Sequence, residues 1–194
     1  LLGSQNTPNT FTHNIWLSDD GNTVFTTDEL SGSYIASYDI TDPSNITKLD
    51  QIQSSPGLGV IPHNTFVFND YLVTSYYSDG ITIHDATYPY NLIEVGYYDT
   101  YPQQTTSYDG CWGAYPYLPS GLVLATDMEE GLFVLNPTYQ KASYLEGVVT
   151  DQLTSLAIDN VSVQISGNNQ IDYSNSNGFY ATGMLNTGSV DVDF

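Results

Sequence analysis

The sequence predicts an all-β protein, and three observations carry that expectation. Short apolar alternations fill residues 12–137, separated by Asp-Gly, Asn-Asp, Pro-Ser and Ser-Gly turn signals. No window holds a sustained helical period. One unit also recurs about every fifty residues, and a repeat of that length built from short strands marks the blades of a β-propeller.

The first copy of the unit opens on His13-Asn14, runs through an apolar stretch ending at Asp28-Glu29, and closes at Asp42-Pro43. The second opens on His63-Asn64 and closes at Pro89; its strands are expected over residues 64–69, 71–76, 80–85 and 92–98. A third, degenerate copy opens on Gly110-Cys111-Trp112, passes Asp127 and ends at Asn136-Pro137. Pro43 and Pro89 end the third strands of their units, because proline cannot donate to a ladder. A propeller ring closes with about four to eight blades. This chain supplies about three, so earlier blades or another chain must provide the rest.

A second composition begins near Tyr144. A strand and turn over 145–151, strand-like stretches at 157–165 and 171–174, a strand running from Tyr180 into Gly183 and a last stretch at 188–194 are punctuated by Ser-Gly-Asn-Asn and Asn-Ser-Asn-Gly turns. This is the pattern of an incomplete Ig-like or transthyretin-like β-sandwich, which needs roughly seven strands. The expected domains are therefore residues 1–138 and 144–194. Both ends fall within strand-like alternation and read as cuts through a larger protein, so the absence of targeting signals says nothing about the parent.

The charge balance is extreme: 22 Asp plus Glu against two Lys and no Arg, a formal net charge of −20. Such a chain repels nucleic acid and anionic lipid, favours cations, and suits a solvated surface in a salty, extracellular setting. No apolar run is long enough for a membrane-spanning helix. The 17 tyrosines suit contact with glycans or with other protein chains. Many of them alternate with polar residues, which favours packing between blades over exposure. Cys111 is the single cysteine, so no disulfide forms within the chain; between Gly110 and Trp112 it reads as a small buried apolar residue.

The first part resembles the choice-of-anchor B family of LVIVD-repeat propeller proteins. The residues that carry the resemblance include Thr12-His13, Trp16-Leu17, Asp28-Glu29-Leu30, Pro62-His63-Asn64, Tyr115-Pro116-Tyr117 and Glu130-Gly131, in the family's order over about the first 140 residues. The resemblance implies a secreted bacterial surface protein and no particular activity. Leu145-Glu146-Gly147, residues 157–163 and Ser176-Asn177-Gly178-Phe179-Tyr180 resemble a carboxypeptidase-regulatory-like, or transthyretin-like, domain, which implies a spacer or adhesion module.

His13 and His63 hold equivalent places at the start of the innermost strand of two blades. Asp28, Glu29 and Asp127 follow second strands, near the same end, because an antiparallel hairpin returns the chain there. Two imidazoles with carboxylates around one axis would hold a divalent ion: calcium if carboxylates dominate, zinc if both imidazoles bind. The opposing reading is that each His-Asn pair satisfies buried backbone groups. Gly110-Cys111 replaces the histidine in the third copy, which weighs against the metal. Asp28 and Glu29 read as an acid/base pair only at first sight, because adjacent residues on a strand face opposite ways and cannot share a site directly.

Asp19-Asp20-Gly21-Asn22 reads as a type I′ turn in preference to a calcium loop. His84, on an alternating strand, reads as outward-facing and solvated. No nucleophile elbow, Walker loop or His-Glu-x-x-His motif is present. The expected function is a non-catalytic extracellular surface protein for adhesion, display or scaffolding. The first alternative is a filament subunit that self-assembles by accepting strands from neighbours. A metal-dependent enzyme in the propeller channel ranks below both.

Overall fold

A computed structural model describes residues 1–103, 105–185 and 188–194. Every regular element among the described residues is a β-strand, and none of them forms a helix long and apolar enough to cross a membrane. The chain divides into two compact units, Leu1–Gln140 and Lys141–Phe194.

The first unit contains three antiparallel sheets, each wound in chain order. The first sheet is β1 (Thr12–Leu17), β2 (Thr23–Asp28), β3 (Ile35–Asp39) and β4 (Thr47–Ile52). The second is β5 (Asn64–Phe68), β6 (Tyr71–Ser75), β7 (Ile81–Asp85) and β8 (Ile93–Tyr98), within one residue of the four expected strands. The third has β9 (Cys111–Tyr115), β10 (Val123–Asp127) and β11 (Gly131–Leu135). These stretches become strands because β-branched and aromatic residues alternate between tight turns.

Each sheet packs its faces against its chain neighbours. Phe25, Ile35 and Ile52 of the first sheet meet Val67, Leu72 and Leu92 of the second in one core. On the other face of the second sheet, Val73 and Ile81 meet Cys111, Val123 and Ala125 of the third. β6 is consequently buried at every position, which a sheet covered on both faces requires. Cys111 lies wholly inside this second core, the small apolar role expected of it.

Three local expectations need correction. His84 is not solvated: it is 0% exposed, because its face of the second sheet is covered by the first. The turn after β1 is not type I′, which needs two successive positive φ angles; only Gly21 has one, at 72°. There the Gly21 N–H donates to the Ser18 carbonyl at 3.0 Å, and the Asp20 carboxylate accepts the Ser18 hydroxyl at 2.6 Å and the Asn22 N–H at 3.0 Å. The tyrosines divide: Tyr38, Tyr71, Tyr76 and Tyr77 are buried between strands or sheets, but Tyr88, Tyr90, Tyr97 and Tyr98 stay exposed.

The second unit holds two small antiparallel sheets. One pairs β12 (Ser143–Val148) with β15 (Phe179–Met184). The other orders β14 (Asp172–Tyr173), β13 (Ser162–Ile165) and β16 (Val192–Asp193). The strand expected over 157–165 is cut to its last four residues. Asn160 adopts a φ of 59°, and the 160–161 backbone bonds to Ser174 instead of continuing a ladder.

Candidate functional site

Three of the five residues singled out for a metal converge. Ligand atoms of His13, Glu29 and His63 all lie within 4.8 Å of one another. His13 sits at the start of β1, beside an irregularity in the β1–β2 register. Glu29 follows β2, and its N–H donates to the Phe11 carbonyl at 3.1 Å, bringing the segment before β1 back across the hairpin. His63 precedes β5; its N–H donates to Ser75 at 3.0 Å, and its carbonyl accepts the Thr27 hydroxyl at 2.5 Å. The first and second sheets are thus tied together where the site lies.

The third sheet contributes backbone. Tyr77 and Cys111 exchange both main-chain hydrogen bonds, at 3.0 and 2.9 Å. Gly110 permits that approach: its φ is +102°, and a β-carbon there would sit 2.5 Å from the Tyr77 carbonyl oxygen. The pairing delivers the Trp112 carbonyl to 2.5 Å from His63 Nδ1. A carbonyl only accepts, so this bond needs the proton on Nδ1; the Asn64 amide, 3.0 Å from the same nitrogen, then turns its oxygen there, and Nε2 presents its lone pair.

That lone pair faces the Glu29 carboxylate. His63 Nε2 is 3.6 Å from Glu29 Oε1, and His13 Nδ1 is 3.3 Å from Oε2. The two imidazole rings stack at 4.6 Å, and the Trp112 ring covers His63 at 4.9 Å. The Tyr77 hydroxyl donates to Glu29 Oε1 at 2.6 Å, and the Tyr108 hydroxyl donates to the Glu29 carbonyl at 3.2 Å. His63 is 2% exposed, and burial holds its pKa below the ordinary imidazole value. Burial, with the bond to Glu29, pushes the Tyr77 phenol above its own. Protonation of His63 is thereby disfavoured at the place where a positive charge would relieve two facing lone-pair groups.

Asp28 and Asp127 lie outside this group. The Asp28 carboxylate accepts the Asn9 N–H at 2.6 Å. Asp127 accepts the Thr100 hydroxyl at 2.7 Å and the N–H groups of Glu129 and Glu130 at 3.0 and 2.9 Å, which fixes the turn after β10. Cys111 also lies outside the group, buried in the core, where burial, with the Asp127 charge nearby, pushes its thiol up to about 12.

Sequence reasoning missed Tyr77, Tyr108 and the Trp112 carbonyl. The aromatic clustering around 71–117 marked the region but not these roles, and a backbone carbonyl has no signature of its own.

The arrangement offers two nitrogens and one carboxylate to a cation, with an outer hydrogen bond fixing the tautomer of the buried ligand. His13, 37% exposed at its side chain, forms the solvent side. Such a set suits zinc-class ions and leaves a coordination position open.

Neither a protein-family model nor a curated protein matches the chain. Among solved structures it is similar to a protein of Bacteroides uniformis provisionally named a 6-phosphogluconolactonase, with a TM-score of 0.51 and 14% identity. The match covers 92% of this chain and 54% of that one, so the chain spans about half of that protein. At that identity the likeness is one of fold.

Proposed function

We propose that the chain is a non-catalytic scaffold of the cell exterior, built as three β-propeller blades followed by a small β-sandwich, and that its blades hold a divalent cation between His13, Glu29 and His63. The observation that carries this reading is the fixed tautomer of His63, whose free nitrogen faces a carboxylate and a second imidazole. The three successively wound sheets, packed face to face in chain order, support the propeller reading. The resemblance to LVIVD-repeat propeller proteins and the net charge of −20 support the exterior setting.

The two imidazoles and single carboxylate select zinc over calcium, which prefers six to eight oxygen ligands. The cation joins the first two blades, and Trp112 of the third orients one ligand, so the site serves as a clamp between blades. Adhesion or display then falls to the exposed aromatic residues, Trp112 (52% exposed) and Tyr97 (74%) among them.

Metal analysis of the purified chain tests the reading. After dialysis against zinc, about one ion per chain is expected in the wild type and none in His63→Ala. Equal zinc content in both would overturn the site. The open position at His13 favours one second reading, a hydrolytic metal centre. A sugar lactone is the first substrate to try, given the name of the similar protein; metal-dependent turnover would replace the scaffold reading.

A further inference from the structure

Equivalent positions of the first two copies of the repeat meet at the site and carry different side chains. Asn14 on β1 pairs with Thr27, and Asn64 on β5 pairs with Ser75, so Glu29 and Tyr77 each stand two residues beyond the paired position of their copy. The first copy supplies a carboxylate where the second supplies a phenol. Packing of the first sheet on the second brings the two together, and the Tyr77 hydroxyl donates to Glu29 Oε1 at 2.6 Å.

Tyr77 is fixed from several sides. It is 3% exposed. Its ring lies against the His63 imidazole at 5.2 Å, and the Tyr108 ring stands edge-on to it at 5.4 Å. Its main chain exchanges two hydrogen bonds with Cys111, and its carbonyl also accepts the Gly80 N–H at 2.9 Å. These bonds hold a φ of 41°, in the left-handed region that a bulky residue adopts only under strain. Such strain persists where the surroundings over-determine it, and here it aims the phenol at one oxygen of Glu29.

The two carboxylate oxygens are therefore not equivalent. Oε1 accepts the phenol proton, and a hydroxyl has a single proton to donate. Oε2 lies 3.3 Å from His13 Nδ1. Two ligand atoms of one tetrahedral zinc-class ion stand about 3.3 Å apart, given bond lengths of about 2.0–2.2 Å. His63 Nε2 is 3.6 Å from Oε1. Without the phenol, each oxygen would face one imidazole and nothing would distinguish them, so the carboxylate could close on the ion through both.

We propose that Tyr77 is a positioning residue of the cation site: by holding Oε1 it limits Glu29 to coordination through Oε2, so the chain supplies three ligand atoms and a fourth tetrahedral position stays open. The inference rests on the cation reading above. Tyr108 bears on the same segment differently, because its hydroxyl reaches the Glu29 main-chain carbonyl at 3.2 Å and not the carboxylate.

Cobalt(II) tests this role. It takes the ligands of zinc, and its visible absorption is intense when four-coordinate and weaker when five-coordinate. The wild type, Tyr77→Phe and Tyr108→Phe are each titrated with cobalt. Both substitutions keep the ring in place, and circular dichroism checks the folds. The wild type should bind about one ion per chain with the intense absorption of a four-coordinate site. Tyr77→Phe should bind the same amount and lose intensity, because Oε1 joins the coordination. Tyr108→Phe should match the wild type. A weakly absorbing wild type, identical spectra for the wild type and Tyr77→Phe, equal changes in both variants, or loss of cobalt from Tyr77→Phe would each overturn the positioning role and leave the wild-type ion in place. A wild type that takes up no cobalt overturns the cation reading and this role with it.

Discussion

The imidazole Nδ1 of His63 lies 2.5 Å from the main-chain carbonyl of Trp112, across the junction of the second and third sheets. The bond sets which nitrogen of a buried histidine is free, so it decides what the neighbouring carboxylate meets. Zinc bound by His13, Glu29 and His63 should therefore depend on a residue that supplies no ligand atom.

Ligand removal gives the direct form of that expectation. His63→Ala and Glu29→Gln should each weaken zinc binding on the order of 100-fold or more, measured by competition with a chromophoric chelator. Loss of affinity in neither variant would place the ion elsewhere. Because burial lowers the pKa of His63, a proton competes for its lone pair only below the ordinary imidazole range.

Gly110 offers the indirect form. Alanine there meets both a φ of +102° and the Tyr77 carbonyl, and should cost roughly 2 kcal/mol or more in urea unfolding. It should also weaken zinc binding by displacing the Trp112 carbonyl. Gly21→Ala is the control. Its φ of +72° carries a cost of about 1 kcal/mol, but no atom lies within 4 Å of the added carbon and zinc binding should not change. Equal effects at the two glycines would contradict this account.

His84 predicts an unusual pH response. It is fully buried with no hydrogen bond to either ring nitrogen, and burial lowers its pKa to about 3; Glu94, 3.6 Å away, is raised to about 7, chiefly by burial, with the Asp79 charge adding to the shift. The unfolded histidine binds a proton below its ordinary 6.5 and the folded one does not, so its share of stability is lost as pH falls from 6.5 toward 3. The folded Glu94 keeps a proton that the unfolded one releases above 4.5, so its share is lost as pH rises from 4.5 toward 7. Between 4.5 and 6.5 the two slopes oppose each other, and stability from this pair is flat. His84→Leu should remove the acid-side loss and raise stability at neutral pH by about 1 kcal/mol, because an unsatisfied buried polar group is replaced by an apolar one. Urea midpoints across the pH range measure both effects, and a strongly destabilised variant would show that the ring has a partner.

Cys111 should be inert in the native chain. With its thiol pushed up to about 12 inside the core, it should resist alkylation at mildly alkaline pH and react fully after denaturation. Fast native labelling would mean that the junction between the second and third sheets opens readily.

The four strands of the second sheet could be read to within a residue, because period-two alternation is a local property. The equivalence of His13 and His63 was legible too, since a repeat places like residues at like positions. The same logic failed at His84. Alternation separates inside from outside only when one face of a sheet meets water, and the second sheet is covered on both. It also failed at the turn after β1, where a side-chain clasp from Asp20 replaces the second positive φ.

The sequence by itself determined the all-β class, the repeating unit and the burial of Cys111. Each follows from pattern along the chain. Tertiary structure alone decided which acids stand beside the two histidines. Asp28 and Asp127 were consumed by backbone donors close by, and Glu29 was left facing two imidazoles drawn from different sheets. It also decided the tautomer of His63, through a carbonyl 49 residues away. A carbonyl is common to every residue, so only the packing of one sheet on the next gives this one a role.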